Sequence, residues 1–259
     1  MKQFEITNFL ENKFSPMLAS QFDMGKIGLQ FGSKNKEINK IMIALDATMD
    51  VVDEAIAKNC DLLITHHPFL FYPLLSVDYD SVLGRKLIKV FKTKLNLYSM
   101  HTNFDVASEG MNDILAKILK LTDIKIEKEV VDNNCFLRIG KTASTSLKNY
   151  VAHVAKTLNE GVIRYIGNDD KIIEKVGIVG GAGGSELMNA IKANCDCLVT
   201  GEVKHNQAID AIENGIAVIE VSHYVESFFK EYLQQILKEA FPNCEILTSN
   251  VEKNPFKHF

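Results

Sequence analysis

The chain has 259 residues, 46% hydrophobic and 24% charged, enough to bury a core without staples and ordinary for a globular protein. A formal net charge of -4 without a basic run argues against nucleic acid as a partner. The N-terminus MKQFEITNFLENKFSPM lacks a signal peptide's apolar stretch, and no run reaches about 18 apolar residues, so no membrane span is expected and the cytoplasm is the expected compartment.

Residues 4–21 read as an amphipathic helix and Gly28–Gly32 as a glycine-bearing strand pair. Ile41–Leu45, ending in Asp46, has the length and branching of a buried strand. Thr48–Lys58 reads as a helix with Thr48 as N-cap and Val51, Val52, Ala55 and Ile56 on one face. Leu62–Ile64 is the next buried strand, and a further helix is expected near 111–120. Short strands are expected within 130–140 and 160–175, around a helix at about 146–158, with Asn168–Asp170 as a turn.

The strand, helix, strand pattern recurs as Val176–Val179, Ser185–Ala193 and Cys197–Val199. Shifted by 135 residues, Ile43 meets Ile178, Ala55 meets Ala190, and Ile56 meets Ile191. Asn59-Cys60-Asp61 likewise meets Asn194-Cys195-Asp196, Leu63 meets Leu198, and Thr65 meets Thr200. Chance at average composition gives roughly two identities, so the pattern reads as an internal duplication. The expected fold is therefore α/β: two pseudo-symmetric halves with mostly parallel sheets, residues 1–125 and 126–259, and a metal site in the cleft between them. Tyr224–Phe241 reads as a final helix whose wide apolar stripe serves first as core and second as a subunit contact, with Pro242 as its stop.

Five cysteines, at 60, 135, 195, 197 and 244, are odd in number and lack disulfide spacing. They are expected to be reduced, with Cys195 and Cys197 as packing residues of a strand.

Five of the seven histidines, at 66, 67, 101, 205 and 223, follow predicted strands, the edge where α/β sheets bind ligands. His153 and His258 do not, and neither has an expected role. In Thr65-His66-His67-Pro68 the two rings are expected to leave an extended chain in opposite directions, so that two ions rather than one take them. His101 and Asp105 share the second segment, and His223 and Glu226, three apart, share one helix face in the third. Taken alone, each has a bland alternative: a polar loop, an Asx turn, a first-turn glutamate. Together His66, His67 and His223 offer three imidazoles, and Asp105 and Glu226 two carboxylates, a set suited to two zinc, iron or manganese ions and unsuited to calcium. Glu202 and His205 occupy the duplicated position of the His-His pair and are candidates, with His101, for proton transfer. In Gly180-Gly181-Ala182-Gly183-Gly184, the amides of Gly181, Gly183 and Gly184 are candidates to cradle phosphate; a tight turn is the alternative.

The segments GLQFG, IALDATMDVVDEAI, THHP, HTNFD, GGAGGSE, TGEVKH and SHYVES, spread over nearly the whole chain, resemble the GTP cyclohydrolase 1 type 2 family, the NIF-three-like dinuclear metal proteins. Having no room for a middle insert domain, the chain is similar to the short form. The resemblance implies a two-metal site built by His66, His67, Asp105, His223 and Glu226. It also implies a ring-shaped homohexamer and hydrolytic opening of the GTP purine ring, or hydrolysis of a related nucleotide or phosphate-bearing small molecule. A non-enzymatic metal store, regulator or assembly scaffold accounts for the same ligands.

Overall fold

The computed structural model describes residues 1–126 and 136–257. Elements follow in chain order as α1 (Gln3–Lys13), β1 (Gly28–Phe31), β2 (Lys40–Ala44), α2 (Met49–Ala57), β3 (Leu62–Thr65), α3 (Val82–Thr93), β4 (Asn96–Ser99) and α4 (Thr102–Val106). Next come α5 (Met111–Ile118), β5 (Thr122–Ile126), β6 (Arg138–Ser146), α6 (Leu147–Leu158), β7 (Arg164–Ile166), β8 (Ile172–Val179), α7 (Leu187–Lys192) and β9 (Cys197–Thr200). The series closes with α8 (His205–Glu213), β10 (Ala217–Glu220), a 3-10 turn at His223–Ser227, α9 (Phe228–Ala240) and β11 (Glu245–Thr248).

These elements form two compact units, the first made of Met1–Phe104 and Ser227–Pro255, the second centred on Asp105–Glu226. The division therefore differs from a cut at 125. The tail belongs to the first unit because β11 pairs in parallel with β2, and the apolar stripe of α9 is core there, with Phe229, Leu233 and Leu237 fully buried.

In the first unit the strand order is β1-β4-β3-β2-β11, parallel throughout except for β1 against β4. The expected pair at Gly28–Gly32 is thus one strand on a distant partner. α1 stops at Lys13 rather than 21. Pro16 has no amide to give a continuing helix, and the chain goes on through 3-10 turns at Pro16–Leu18 and Gln21–Asp23. Thr48 caps α2 as expected, its Oγ1 accepting from the Val51 amide.

The second unit has the order β5-β6-β8-β9-β10-β7. Only β8–β9 and β9–β10 are parallel; the other neighbours are antiparallel, so a mostly parallel sheet holds for the first unit and not here. The reason is that β6 and β7 flank a βαβ core from both sides as returning strands rather than as crossover partners. The strand expected over 130–140 lies partly outside the described residues, as do Cys135 and His258. The expected runs at 160–175 are β7 and the start of β8, with the turn at Asn168 between them.

The duplication reaches the level of single hydrogen bonds. Ile41 faces Leu62 across β2–β3, and Val176 faces Cys197 across β8–β9, each 135 residues on. Asp61 Oδ2 accepts from the amides of Asn39 and Lys40, and Asp196 Oδ2 from those of Glu174 and Lys175, the same positions shifted. Asn59 and Asn194 both turn the chain at positive φ, 55° and 56°, which asparagine tolerates better than most residues. The described cysteines are buried free thiols. Burial pushes Cys60 and Cys244 up to about 11 and Cys197 higher still, which makes them packing residues rather than nucleophiles.

Candidate metal centre

In the first unit the site starts where β3 runs out. The His66 amide donates to Ala44 O at 3.3 Å and the His67 amide to Leu45 O at 2.9 Å, so the ladder carries both residues to the sheet's edge. Thr65 Oγ1 donates to His67 O at 2.8 Å and fixes the bend that follows. Because the strand ends at Thr65 and the chain bends at both histidines, their rings do not diverge as an extended chain would make them; the centroids are 5.1 Å apart. The His101 ring stands 5.4 Å from His66 and 5.7 Å from His67. One donor atom from each of the three lies within 4.8 Å of the others, a spacing able to hold a metal ion. His66 is fully buried, against Phe104 and Phe229.

Carboxylates brace two of these rings from behind. Asp46 Oδ1 is 2.8 Å from His67 Nδ1, and Asp23 Oδ2 is 2.7 Å from His101 Nδ1. Nδ1–H donating to a carboxylate leaves Nε2 as the lone-pair nitrogen, which is how metal-binding histidines are commonly fixed. The residues that carry these carboxylates are held in turn. Glu252 accepts the amides of Leu45 and Asp46 at 3.0 and 2.7 Å and pairs with Lys230 at 3.1 Å, so the tail secures the end of β2. Asp23, fully buried, also accepts from Thr102 Oγ1 at 2.6 Å and from its amide at 3.1 Å. Burial works to raise the Asp23 carboxyl, but the His101 and Thr102 bonds outweigh it and leave the group below the usual carboxylate range.

The second unit repeats the device. Glu202 Oε1 lies 2.6 Å from His223 Nδ1, while His223 Nε2 lies 3.1 Å from Glu226 Oε2. His223 and Glu226 open a 3-10 turn rather than an α-helix, where residues three apart eclipse. An oxygen of Asp105 lies within 4.8 Å of one of Glu226, and both residues are buried. Asn112 ties this corner together: its Nδ2 donates to Asp105 O at 3.2 Å and its Oδ1 accepts the Gly180 amide at 2.7 Å.

The glycine loop owes its composition to close approach. Gly181 sits at φ 54°, and a Cβ there would lie 2.5 Å from Glu226 Oε1. A Cβ on Gly201 would meet Gly181 O at 2.6 Å and His223 Cα at 2.9 Å, so neither position has room for a side chain. The Gly184 amide donates to Glu202 O at 3.2 Å. Among the described residues, the amides of Gly181 and Gly183 donate no hydrogen bond.

Of the residues expected from sequence, His66, His67 and His101 come together in the first unit, and Asp105, His223 and Glu226 in the second. Glu202, expected as a proton carrier, is the brace of His223. His205 is exposed at the first position of α8, with no side-chain hydrogen bond or ion pair among the described residues. Sequence reasoning missed Asp23, Asp46 and Asn112. Asp46 carried a signal, since it ends a buried strand at the ligand-binding edge; Asp23, in an irregular turn, carried none.

Asp46→Ala should weaken the affinity of an ion held by His67 by about 10–100-fold, read by chelator competition. Asp46→Asn, whose amide oxygen still accepts from Nδ1, should recover part of the loss. Equal affinity in all three proteins would remove Asp46 from the role.

A family model described as Duf34/NIF3 (NGG1p interacting factor 3) matches residues 1–255. A Clostridium acetobutylicum protein named GTP cyclohydrolase 1 type 2 homolog is 32% identical, with 99% of this chain and 98% of that protein covered. Among solved structures, Staphylococcus aureus hypothetical protein SA1388 superposes with a TM-score of 0.92 at 26% identity, covering 100% of this chain and 99% of its own. Reduced HcgD from Methanocaldococcus jannaschii gives 0.81 at 28% identity, covering 96% and 98%.

Proposed function

Because the chain belongs to the Duf34/NIF3 family, we propose that it is a dinuclear metal-dependent hydrolase acting on GTP or a related nucleotide or phosphate ester. His66, His67, Asp105, His223 and Glu226 are its ligands, and zinc, iron or manganese its ions. The observation that carries the reading is the shared construction of His67 and His223, each with Nδ1 held by a carboxylate, and with Nε2 of His223 3.1 Å from Glu226, a fellow ligand in this reading. The donor set fits: neutral imidazoles and carboxylates, with no thiolate among them. Chain connectivity also supports it. Asp105 lies four residues beyond His101 on the same short stretch, and Glu226 is the last residue before the chain returns to the first unit.

Two bound divalent ions lower the pKa of water and polarise the bond under attack. The chain's own residues do the rest. His101, held by Asp23, presents Nε2 as a proton carrier beside His66 and His67. Glu202 acts through His223, whose tautomer it sets, and His205 is a carrier on the helix that follows. Gly181 and Gly183 offer amides to a phosphate, while Gly184 positions the loop through its bond to Glu202 O. The reading includes a ring-shaped homohexamer, for which Tyr72, Leu75 and Tyr79, 74%, 99% and 70% exposed, offer apolar area.

The test is elemental analysis of the purified protein followed by turnover. About two divalent ions per chain are expected, lost as pH falls below roughly 6, where imidazoles protonate. With GTP, a formamidopyrimidine product is expected. Retained metal without turnover on GTP or any phosphate ester would leave a store, regulator or scaffold instead.

A further inference from the structure

Two aromatic rings flank His101 and serve no core. Phe22 is 57% and Phe71 36% exposed. Each ring centroid lies 6.4 Å from that of His101, at 80° and 79° to its plane. Between them sits Lys26, whose Nζ lies 3.8 Å above the Phe71 ring and 5.5 Å above that of Phe22. Lys26 makes no ion pair among the described residues, so its charge rests on ring faces alone.

Exposed aromatic side chains are commonplace when mobile, but these are anchored by polar clamps. Asp23, next to Phe22, is bound to His101 and Thr102. Gln30 joins the other two segments: its Nε2 donates to Lys26 O at 2.5 Å and Leu70 O at 3.3 Å, and its Oε1 accepts the Leu70 amide at 3.0 Å. Ser99 Oγ, 3.2 Å from Gln30 Oε1, ties that clamp to β4. Phe22, Lys26 and Phe71 are thus registered against the histidine cluster by the fold itself, all within the first unit.

We propose that Phe22, Lys26 and Phe71 form a recognition subsite for a planar heteroaromatic ring carrying a phosphate, the nucleoside monophosphate class, presented to His101. The inference rests on the hydrolase reading for what happens to the ligand, and on these residues alone for its binding. Ring faces stack on any planar base, and a lysine without a carboxylate partner is available to an anion. An anion that draws Lys26 off the rings uncovers the faces on which its base then stacks.

The probe is 2-aminopurine riboside 5′-monophosphate, followed by fluorescence polarisation on the metal-loaded full chain, which has no tryptophan to interfere. It should bind more tightly than either 2-aminopurine riboside or ribose 5-phosphate. Phe22→Ala and Phe71→Ala should each weaken it by on the order of tenfold, while Phe71→Tyr keeps the affinity. Lys26→Gln should weaken the phosphorylated probe, whereas the riboside, which has no phosphate to lose a partner, should bind at least as well as to the parent. Ribose 5-phosphate binding as well as the probe, no binding of the probe, or variants indistinguishable from the parent would overturn the subsite. Metal content measured on the same samples separates the two claims. Probe binding without stoichiometric metal sinks the hydrolase reading alone, and stoichiometric metal without probe binding sinks the subsite alone.

Discussion

His66→Ala combined with His67→Ala is expected to reduce bound metal from about two ions per chain to a fraction of one. Each proposed ion relies on one of these rings, so no ion keeps its imidazole from the first unit. The fold should survive the change, because the ladder amides at 66 and 67 are backbone groups and Pro68 and the Thr65 bond remain. The buried His66 ring leaves a cavity against Phe104 and Phe229, which lowers the melting point without abolishing the transition. His153→Ala is the control. That ring stacks on Tyr150 and bonds to Leu119 O in the second unit, and its loss should leave the metal content unchanged. Full metal retention by the double variant would contradict the ligand assignment.

Asp113→Ala should destabilise the second unit by about 3–5 kcal/mol. Arg138 is fully buried, and its Nε is paired with Asp113 Oδ1. Its Nη2 donates to Val106 O at 2.7 Å and Ala107 O at 3.2 Å. Deleting the carboxylate takes from the buried guanidinium the counter-ion at its Nε, and breaking a buried ion pair by removing one partner is among the costliest defects a point change can make. Those two carbonyls directly follow Asp105, so the loss should also weaken metal binding, although neither Asp113 nor Arg138 is a ligand. Urea unfolding should show a lowered midpoint. Arg138→Met together with Asp113→Leu, which removes both charges, should recover most of it. An unchanged midpoint in Asp113→Ala would mean that Arg138 finds compensation elsewhere.

Much of this was legible in the sequence because it follows from periodicity and strand ends. Ile41–Leu45, Thr48–Lys58 and Leu62–Ile64 are seen within a residue or two, since β-branched runs, an N-cap threonine and a turn asparagine are local signals. The 135-residue repeat gave the second unit's βαβ core and its register. What stayed hidden depends on distant partners. Nothing local indicates that β11 pairs with β2, that Glu252 secures Asp46, or that Asp23 reaches His101 across 78 positions. The divergence expected of His66 and His67 failed for a related reason: alternation holds inside a strand, and these two residues lie just past its end.

The order in which the first unit is assembled carries a further consequence. Its sheet joins β1 to β4 with β11, and every strand of the second unit's sheet comes between them in sequence. During synthesis the ribosome releases β1 to β4 well before β11. Until the last strand emerges, β2 presents an open hydrogen-bonding edge, with Ile41, Met42 and Ile43 along it. This is the interval in which a nascent chain is most exposed to pairing with another copy of itself. The second unit's sheet, whose strands all fall between Thr122 and Glu220, can be completed while the first still waits. The first unit closes late, through contacts of high sequence separation that fold slowly.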